Sequence, residues 1–195
     1  MKSNEVKNIL LAGVGGQGTI LVGKILSTAL VQAGYDVKMS EIHGMSQRGG
    51  SVSNQVRFGK KVYSPIMIKG EADILVSFEQ METWRWMEYL KPGGKVVLND
   101  YRIPSAPILS GKEDYPDGLT EKIAAGADTL IIRAAEIAEK VGNSRTMNIV
   151  LLGTLVKSMS LHEIDWESAI SENIKPAMLE VNLKAFRAGM DANKN

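Results

Sequence analysis

The stretch from residue 6 to residue 33, VKNILLAGVGGQGTILVGKILSTALVQA, decides the fold class of this chain. Residues 6–12 form an apolar run typical of a buried strand. Apolar side chains then recur at helical spacing from Ile20 to Ala33. Between the two lies the glycine motif GVGGQG, residues 13–18. A strand, a glycine turn and a helix in this order predict the first βα unit of a Rossmann-like sheet.

The glycine motif has two interpretations. Its backbone N–H groups lie at the positive end of the helix dipole, where a phosphate-bearing ligand binds well. Glycine also allows a tight turn and close helix–strand packing without any ligand. Because glycine is common here, at 19 of 195 residues, the motif alone leaves both alternatives open. The candidate ligand-binding residues of the motif are Gly13, Gly15, Gly16, Gln17 and Gly18.

The composition excludes several classes of protein. Hydrophobic residues make up 44% of the chain, charged residues 23%, and the formal net charge is +1. These values are typical of a globular protein and indicate no general attraction to nucleic acid or to a membrane. No apolar run approaches the roughly 20 residues that span a bilayer, and residues 1–8 lack the apolar region of a secretory signal. We therefore expect a single cytoplasmic domain over residues 1–195.

The lack of cysteine limits the chemistry of this chain. Without cysteine the chain holds no disulfide and no thiolate-bound iron–sulfur cluster. The two histidines, His43 and His162, are far apart and form no zinc-binding pair. The chain also contains neither a GxSxG elbow nor a GxxxxGK[ST] loop. We therefore interpret it as a component whose chemistry is completed by another chain, and we predict no catalytic residue and no metal ligand.

The remaining sequence predicts more strands and helices. A buried strand is predicted at residues 72–78, and further strands are predicted at residues 36–41, 96–100 and 128–134. Alternation from Val52 predicts an antiparallel strand, with residues 62–68 as its hairpin partner. A helix over 79–90 ends at a PGG turn in 91–95, and only helices follow Thr146. The predicted class is α/β, a Rossmann-like doubly wound, mostly parallel sheet with an antiparallel hairpin and a helical C-terminal end.

A polar, glycine-containing loop follows the second predicted strand, at residues 41–51. A Rossmann enzyme uses an acid at the position of Glu41 to bind the ribose hydroxyls, although a solvated Glu at a strand end is equally compatible. His43 is a candidate general acid or base, or a hydrogen-bond donor to a phosphate. Arg48 is a candidate to bind a phosphate or a carboxylate through two hydrogen bonds. Alternatively, His43 hydrogen-bonds to the backbone of the loop, and Arg48 forms an ion pair at the surface. The candidate binding residues of this loop are Glu41, His43, Ser46, Gln47 and Arg48.

Two segments together resemble a known family. They are NILLAGVGGQGTILVGKILSTALVQAG, residues 8–34, and MSEIHGMSQRGGSVSNQVRFG, residues 39–59. They are similar to the γ-type subunit of 2-oxoacid:ferredoxin oxidoreductases, and the HGMSQRGG form favours the indolepyruvate branch. The resemblance continues through GEADILVSFEQMETWRWMEYLKPGGKVVLND, residues 70–100, and NIVLLGTLVK, residues 148–157. It therefore spans most of the chain and is far more specific than a lone glycine motif.

The resemblance implies a function and a division of labour. Holoenzymes of this family oxidatively decarboxylate a 2-oxoacid, transfer the acyl group to coenzyme A and reduce ferredoxin. Thiamine diphosphate, magnesium and iron–sulfur clusters are then expected on a large catalytic partner subunit, and none on this chain alone. The γ-type domain is expected to help close a coenzyme A site shared with that partner.

Two further expectations follow from a subunit that is not autonomous. It is inactive by itself, and in isolation it exposes an apolar patch that favours a homodimer. A free-standing NAD(P)-dependent oxidoreductase and a nucleotide-sensing module are the alternative functions, and both would use the glycine motif.

Overall fold

The computed structural model describes residues 5–43 and 49–192, with only the backbone at His43. One six-stranded sheet lies at its centre. The strands are β1 (Lys7–Val14), β2 (Asp36–His43), β3 (Ser51–Gly59), β4 (Ala72–Ser77), β5 (Leu90–Asn99) and β6 (Asp128–Ile132). The α-helices are α1 (Thr19–Gln32), α2 (Gln80–Trp86), α3 (Ala106–Leu109), α4 (Leu119–Gly126), α5 (Ala134–Val141), α6 (Met147–Ser158), α7 (Trp166–Asn173) and α8 (Pro176–Asp191).

The strand order is β2-β3-β1-β4-β5-β6. Strands β1, β4, β5 and β6 are parallel, whereas β3 is antiparallel to both of its neighbours, β1 and β2. Helices α1 and α5 to α8 share one hydrophobic core with one face of the sheet, and α2 and α4 pack on the other face. The structure thus confirms the predicted α/β class, with a mostly parallel sheet, an antiparallel hairpin and a helical C-terminus.

Strand β1 lies in the middle of the sheet and is buried on both faces. Ile9 and Leu11 face the core beneath α1, while Leu10 and Ala12 face the core beneath α2. All four side chains are fully buried. Because a strand covered by helices on both faces needs no polar side, its sequence is a continuous apolar run.

The predicted hairpin partner at residues 62–68 was wrong. The partners of β3 are β1 and β2, so neither edge of β3 is open to a third strand. Residues 60–69 instead form an irregular segment, and side chains satisfy its backbone. The Gln55 side chain accepts the Met67 N–H at 2.7 Å, and the Asp36 carboxylate accepts the Val62 N–H at 2.9 Å.

The predicted turn at residues 91–95 was also wrong, because these residues belong to β5. The register with β4 shifts there: Ala72 pairs with Leu90, but Ile74 pairs with Lys95. The PGG sequence is therefore a bulge inside the strand, with Gly93 at a φ of +75°. The preceding helix extends as predicted, although its last turn tightens into a 3-10 helix at Met87–Tyr89.

Helices α6 and α8 cross in backbone contact, which two glycines allow. A Cβ at Gly153 would lie 2.1 Å from the carbonyl oxygen of Phe186, and one at Gly189 would lie 2.0 Å from that of Val150. The Thr154 hydroxyl donates to the Gly189 carbonyl at 3.1 Å in the same crossing. No helix within residues 5–43 and 49–192 combines the length and the apolar character needed to cross a bilayer.

We predict that Gly189→Ala lowers the free energy of unfolding by about 3 kcal/mol or more, because the added methyl forces two helix backbones apart. The matched control is Gly126→Ala at the end of α4, where an added Cβ meets nothing within 4 Å. Chemical denaturation of the full chain measures both. Equal stability of the two variants would contradict the described crossing.

Strand β3 carries an unusual buried amide. Asn54 is fully buried, and within the part of the chain that the structure describes, neither amide atom of its side chain has a hydrogen-bond partner. The neighbouring Gln55 is equally buried, but its side-chain oxygen accepts the Met67 N–H. A buried polar group without a partner is destabilising, whereas a paired one is costly to remove.

These neighbours therefore predict opposite effects. Asn54→Leu should stabilise the chain by about 1 kcal/mol, because it removes an unpaired amide and keeps the same branched shape. Gln55→Met should destabilise it by about 1–3 kcal/mol, because it leaves the Met67 N–H without its acceptor. Denaturation midpoints decide the matter, and a loss of stability in Asn54→Leu would show that the amide is paired in solution.

Candidate functional site

The carboxyl ends of β1, β4, β5 and β6 meet at one edge of the sheet. Helix α1 packs on one face and α2 on the other, so the chain leaves β1 and β4 in opposite directions. In open α/β sheets ligands bind at such a switch point. The glycine motif, residues 13–18, joins β1 to α1 at this edge, and β3 begins beside it, with Ser51 paired to Val14.

The glycines of the motif serve different purposes. Gly16 and Gly18 have φ values of +104° and +82°, which favour glycine. Among residues 5–43 and 49–192, nothing lies within 4 Å of a Cβ added at Gly16, so no described side chain covers this glycine. A Cβ at Gly18 would lie 2.5 Å from Nδ2 of Asn148, and one at Gly13 would lie 3.1 Å from Phe78. The positive φ therefore favours glycine at positions 16 and 18, and close neighbours leave little room for a side chain at positions 13 and 18.

The Gln17 side chain braces the strand ends. Its oxygen accepts the Val14 N–H at 2.8 Å, and its amide nitrogen donates to the Phe78 carbonyl at 2.9 Å. The Asn99 amide donates to the same carbonyl at 3.1 Å. Gln17 and Asn99 thus link β1 and β5 to the residue that follows β4. The structure gives Gln17 this internal role, and its contact with a ligand stays a prediction.

Two helix N-termini meet at the glycine turn. Helix α1 begins after Gly18, which provides no side-chain cap, whereas α6 continues a 3-10 turn, Ser144–Thr146, that the Asn143 side chain caps. The Asn148 amide lies 3.5 Å from the Gly18 carbonyl oxygen and brings the two starts together. The positive end of the α1 dipole favours a phosphate or a carboxylate here. No motif marks Asn148, so sequence reasoning missed α6 as a part of this site.

Glu41 lies farther from the glycine motif than in a Rossmann enzyme. It is exposed and sits in β2, paired with Asn54 of β3. Because β3 separates β2 from β1, Glu41 is two interstrand spacings from β1, roughly 10 Å. The classic dinucleotide fold places that acid on the neighbour of β1. Its role in binding stays a prediction.

The polar loop after β2 falls largely on undescribed positions. Ser46, Gln47 and Arg48 lie outside the described residues, and at His43 the structure describes only the backbone, as the last residue of β2. Their proposed ligand contacts stay predictions. The described end of the loop does reach the glycine turn, because the Gly15 N–H donates to the Gly50 carbonyl at 2.8 Å.

Glu79 is a helix cap within the fold. It is 1% exposed and precedes α2 as its N-cap, where its carboxylate accepts the Glu82 N–H at 2.9 Å and the Ile103 N–H at 3.1 Å. The Tyr115 hydroxyl donates to the same carboxylate. Burial, followed by this carboxylate, raises the pKa of Tyr115 well above its usual range, so the hydroxyl stays protonated.

Glu82 is a second buried carboxylate, in the first turn of α2. Its side chain is 3% exposed and accepts hydrogen bonds from Ser51, Arg85 and the indole of Trp86. Burial raises the pKa of Glu82, and the Ser51 and Arg85 contacts oppose that shift. Sequence reasoning missed this residue, because a Glu on a helix carries no signal of a contact with a distant strand.

We predict that Gln17→Met lowers the free energy of unfolding by about 1–3 kcal/mol, because the Val14 N–H loses its acceptor. Gln32→Met, at an exposed glutamine at the end of α1, serves as the control and should change it by about 0.5 kcal/mol or less. Thermal or chemical denaturation compares them. Equal effects would show that the Gln17 brace contributes nothing.

Comparison with known proteins agrees with this geometry. Residues 8–192 match the family model described as pyruvate ferredoxin/flavodoxin oxidoreductase. The chain is 38% identical over 193 residues to the indolepyruvate oxidoreductase subunit IorB of Thermococcus kodakarensis, and the match covers 96% of each. The fold is similar to that of the keto/oxoacid ferredoxin oxidoreductase gamma subunit of Geobacter sulfurreducens, with a TM-score of 0.71, 24% identity and coverage of 95% and 97%.

A second solved structure has the same fold within a longer chain. It is a 2-oxoglutarate:ferredoxin oxidoreductase from Magnetococcus marinus with 2-oxoglutarate, coenzyme A and succinyl-CoA bound. The TM-score is 0.75 at 24% identity, over 98% of this chain but 32% of that one. The family model and the full-length relative together identify the protein: the chain belongs to the pyruvate ferredoxin/flavodoxin oxidoreductase family.

Proposed function

We propose that this chain is the small subunit of a cytoplasmic indolepyruvate oxidoreductase, which converts an arylpyruvate to its acyl-CoA and reduces ferredoxin. The single observation that carries the proposal is the 38% identity to an indolepyruvate oxidoreductase subunit across 96% of both chains. The chain acts as a structural subunit and as one wall of a ligand site, and it has no activity of its own.

The redox cofactors belong to a large partner subunit. This chain has no cysteine to hold an iron–sulfur cluster. In the Magnetococcus enzyme the corresponding fold makes up about a third of a longer chain. We therefore assign thiamine diphosphate, magnesium and the clusters to a separate catalytic chain, which pairs with this one and passes electrons to ferredoxin.

Coenzyme A fits the glycine turn. Its phosphates need positive charge and exposed backbone donors, and the start of α1, which has no side-chain cap, lies at the turn. No described side chain covers Gly16, so a phosphate can approach the backbone closely. When bound, coenzyme A supplies the thiol that accepts the acyl group. This chain orients its phosphates, and the partner supplies the other wall.

Reconstitution tests the proposed function. The chain is combined anaerobically with the thiamine- and iron–sulfur-containing partner, and dye reduction is measured with indolepyruvate and coenzyme A. We expect activity only with both chains present, and a higher kcat/KM for indolepyruvate than for pyruvate or 2-oxoglutarate. Oxidation of 2-oxoacids by the isolated chain, or full activity of the partner alone, would contradict the proposal.

A dehydrogenase function is the competing hypothesis, and the sheet order disfavours it. Strand β3 stands between Glu41 and the glycine turn, so the acid is displaced from the position that binds ribose in a dinucleotide enzyme. Titration of the isolated chain with NAD or NADP should show no binding in the micromolar to millimolar range usual for enzymes. Saturable binding would restore this hypothesis.

A further inference from the structure

The buried carboxylate of Glu82 connects α2 to the glycine turn through the first residue of β3 and the backbone bonds beside it. Glu82 accepts a hydrogen bond from the hydroxyl of Ser51, the first residue of β3. Ser51 pairs in register with Val14, the last residue of β1. The residues on either side of this pair then bond to each other: the Gly15 N–H donates to the Gly50 carbonyl at 2.8 Å, and the Gly49 N–H donates to the Gly15 carbonyl at 3.3 Å.

This connection reaches Gly15 from the start of β3. The Gln17 brace holds the turn towards β4, and Asn148 holds it towards α6. Gly15 itself is held by the two backbone bonds to Gly49 and Gly50, and Ser51 follows directly. Glu82 therefore fixes the one flank of the turn that neither Gln17 nor Asn148 contacts.

Glu82 lies in the first turn of α2, where the helix dipole favours an acid, but helix stability does not require that the acid be buried. A carboxylate that is 3% exposed has lost most of its hydration, which is costly unless donors replace the water. Three donors converge on it, and Ser51 is the one from outside α2. An apolar side chain would fill the same space at lower cost. The carboxylate adds a directional contact to the start of β3, which apolar packing does not provide.

We propose that Glu82 is a positioning residue for the coenzyme A site, and that it acts through Ser51 to hold Gly15 and Gly16 in place for the ligand. The proposal rests on the proposed function. Loss of the Glu82–Ser51 contact leaves the sheet intact but lets the flank of the turn move. Ligand binding then weakens, while the chemistry on the partner subunit continues at its normal rate.

The test uses the reconstituted complex and steady-state kinetics with coenzyme A as the varied substrate. Ser51→Ala and Glu82→Leu each remove one end of the contact, and both should raise the KM for coenzyme A about tenfold with kcat changed less than about twofold. Glu82→Gln keeps an acceptor oxygen and should restore most of the affinity. Glu88→Leu is the control, because Glu88 is an exposed acid just beyond α2 that pairs with Lys69.

Coupling distinguishes positioning from a general loss of stability. The double variant Ser51→Ala/Glu82→Leu should raise the KM no more than either single variant, because both remove one interaction. Independent, multiplicative effects would overturn the proposal, and so would an unchanged KM in Ser51→Ala. If Glu82→Leu fails to assemble, Ser51→Ala and Glu82→Gln decide the outcome.

The same experiment separates this proposal from the function beneath it. A wild-type complex that needs coenzyme A, combined with variants of unchanged KM, overturns the positioning role alone. A wild-type complex whose dye reduction does not depend on coenzyme A overturns the proposed function, and the positioning role with it.

Discussion

The carbonyl oxygen of Phe78 accepts hydrogen bonds from two side-chain amides, and the edge of the sheet that carries the glycine turn depends on them. Gln17 reaches this oxygen from the glycine turn and Asn99 reaches it from the end of β5. The Asn99 oxygen in turn accepts the Ala134 N–H at the start of α5. Buried polar groups are costly unless every member of the network is paired. Three strand ends and two helix starts are therefore held together before any ligand arrives.

The hydrogen bonds of Gln17 hold the glycine motif in shape from inside the fold and leave its outer face to a ligand. The Gln17 side chain occupies the switch point between β1 and β4, and the ligand face lies outside it, where no described side chain covers Gly16. The dipole of α1 supplies positive potential there. In the proposed function, the described residues would form one wall of a phosphate site and a partner subunit would complete the pocket.

The antiparallel strand β3 sets this family member apart from a dinucleotide-binding fold. It displaces Glu41 outward, and it brings Ser51 and Gly50 against the glycine turn in place of that acid. The start of β3 and the buried Glu82 thus take over the flank of the site. Because β3 pairs with β2 on one edge and with β1 on the other, residues 62–68 have no free edge of β3 to pair with and remain irregular.

The sequence predicts those elements of the fold whose structure depends on residues close together in the chain. The burial of residues 9–12 and the helix after Gly18 follow from hydrophobic periodicity, and the turn between them follows from glycine chemistry. The position of β3 does not, because strand pairing is a choice between distant partners. Asn148 and Glu82 were invisible for the same reason. Each lies on an ordinary helix, and only the tertiary fold brings it to the glycine turn.

The central claim is that the glycine turn and the start of α6 form this chain's share of a coenzyme A site. Hydrogen–deuterium exchange of the reconstituted complex, with and without coenzyme A, tests it most directly. The account predicts slower exchange on ligand binding at residues 15–22 and 146–150, with α7 unchanged. Unchanged exchange at both segments, with protection confined to the partner subunit, would contradict it.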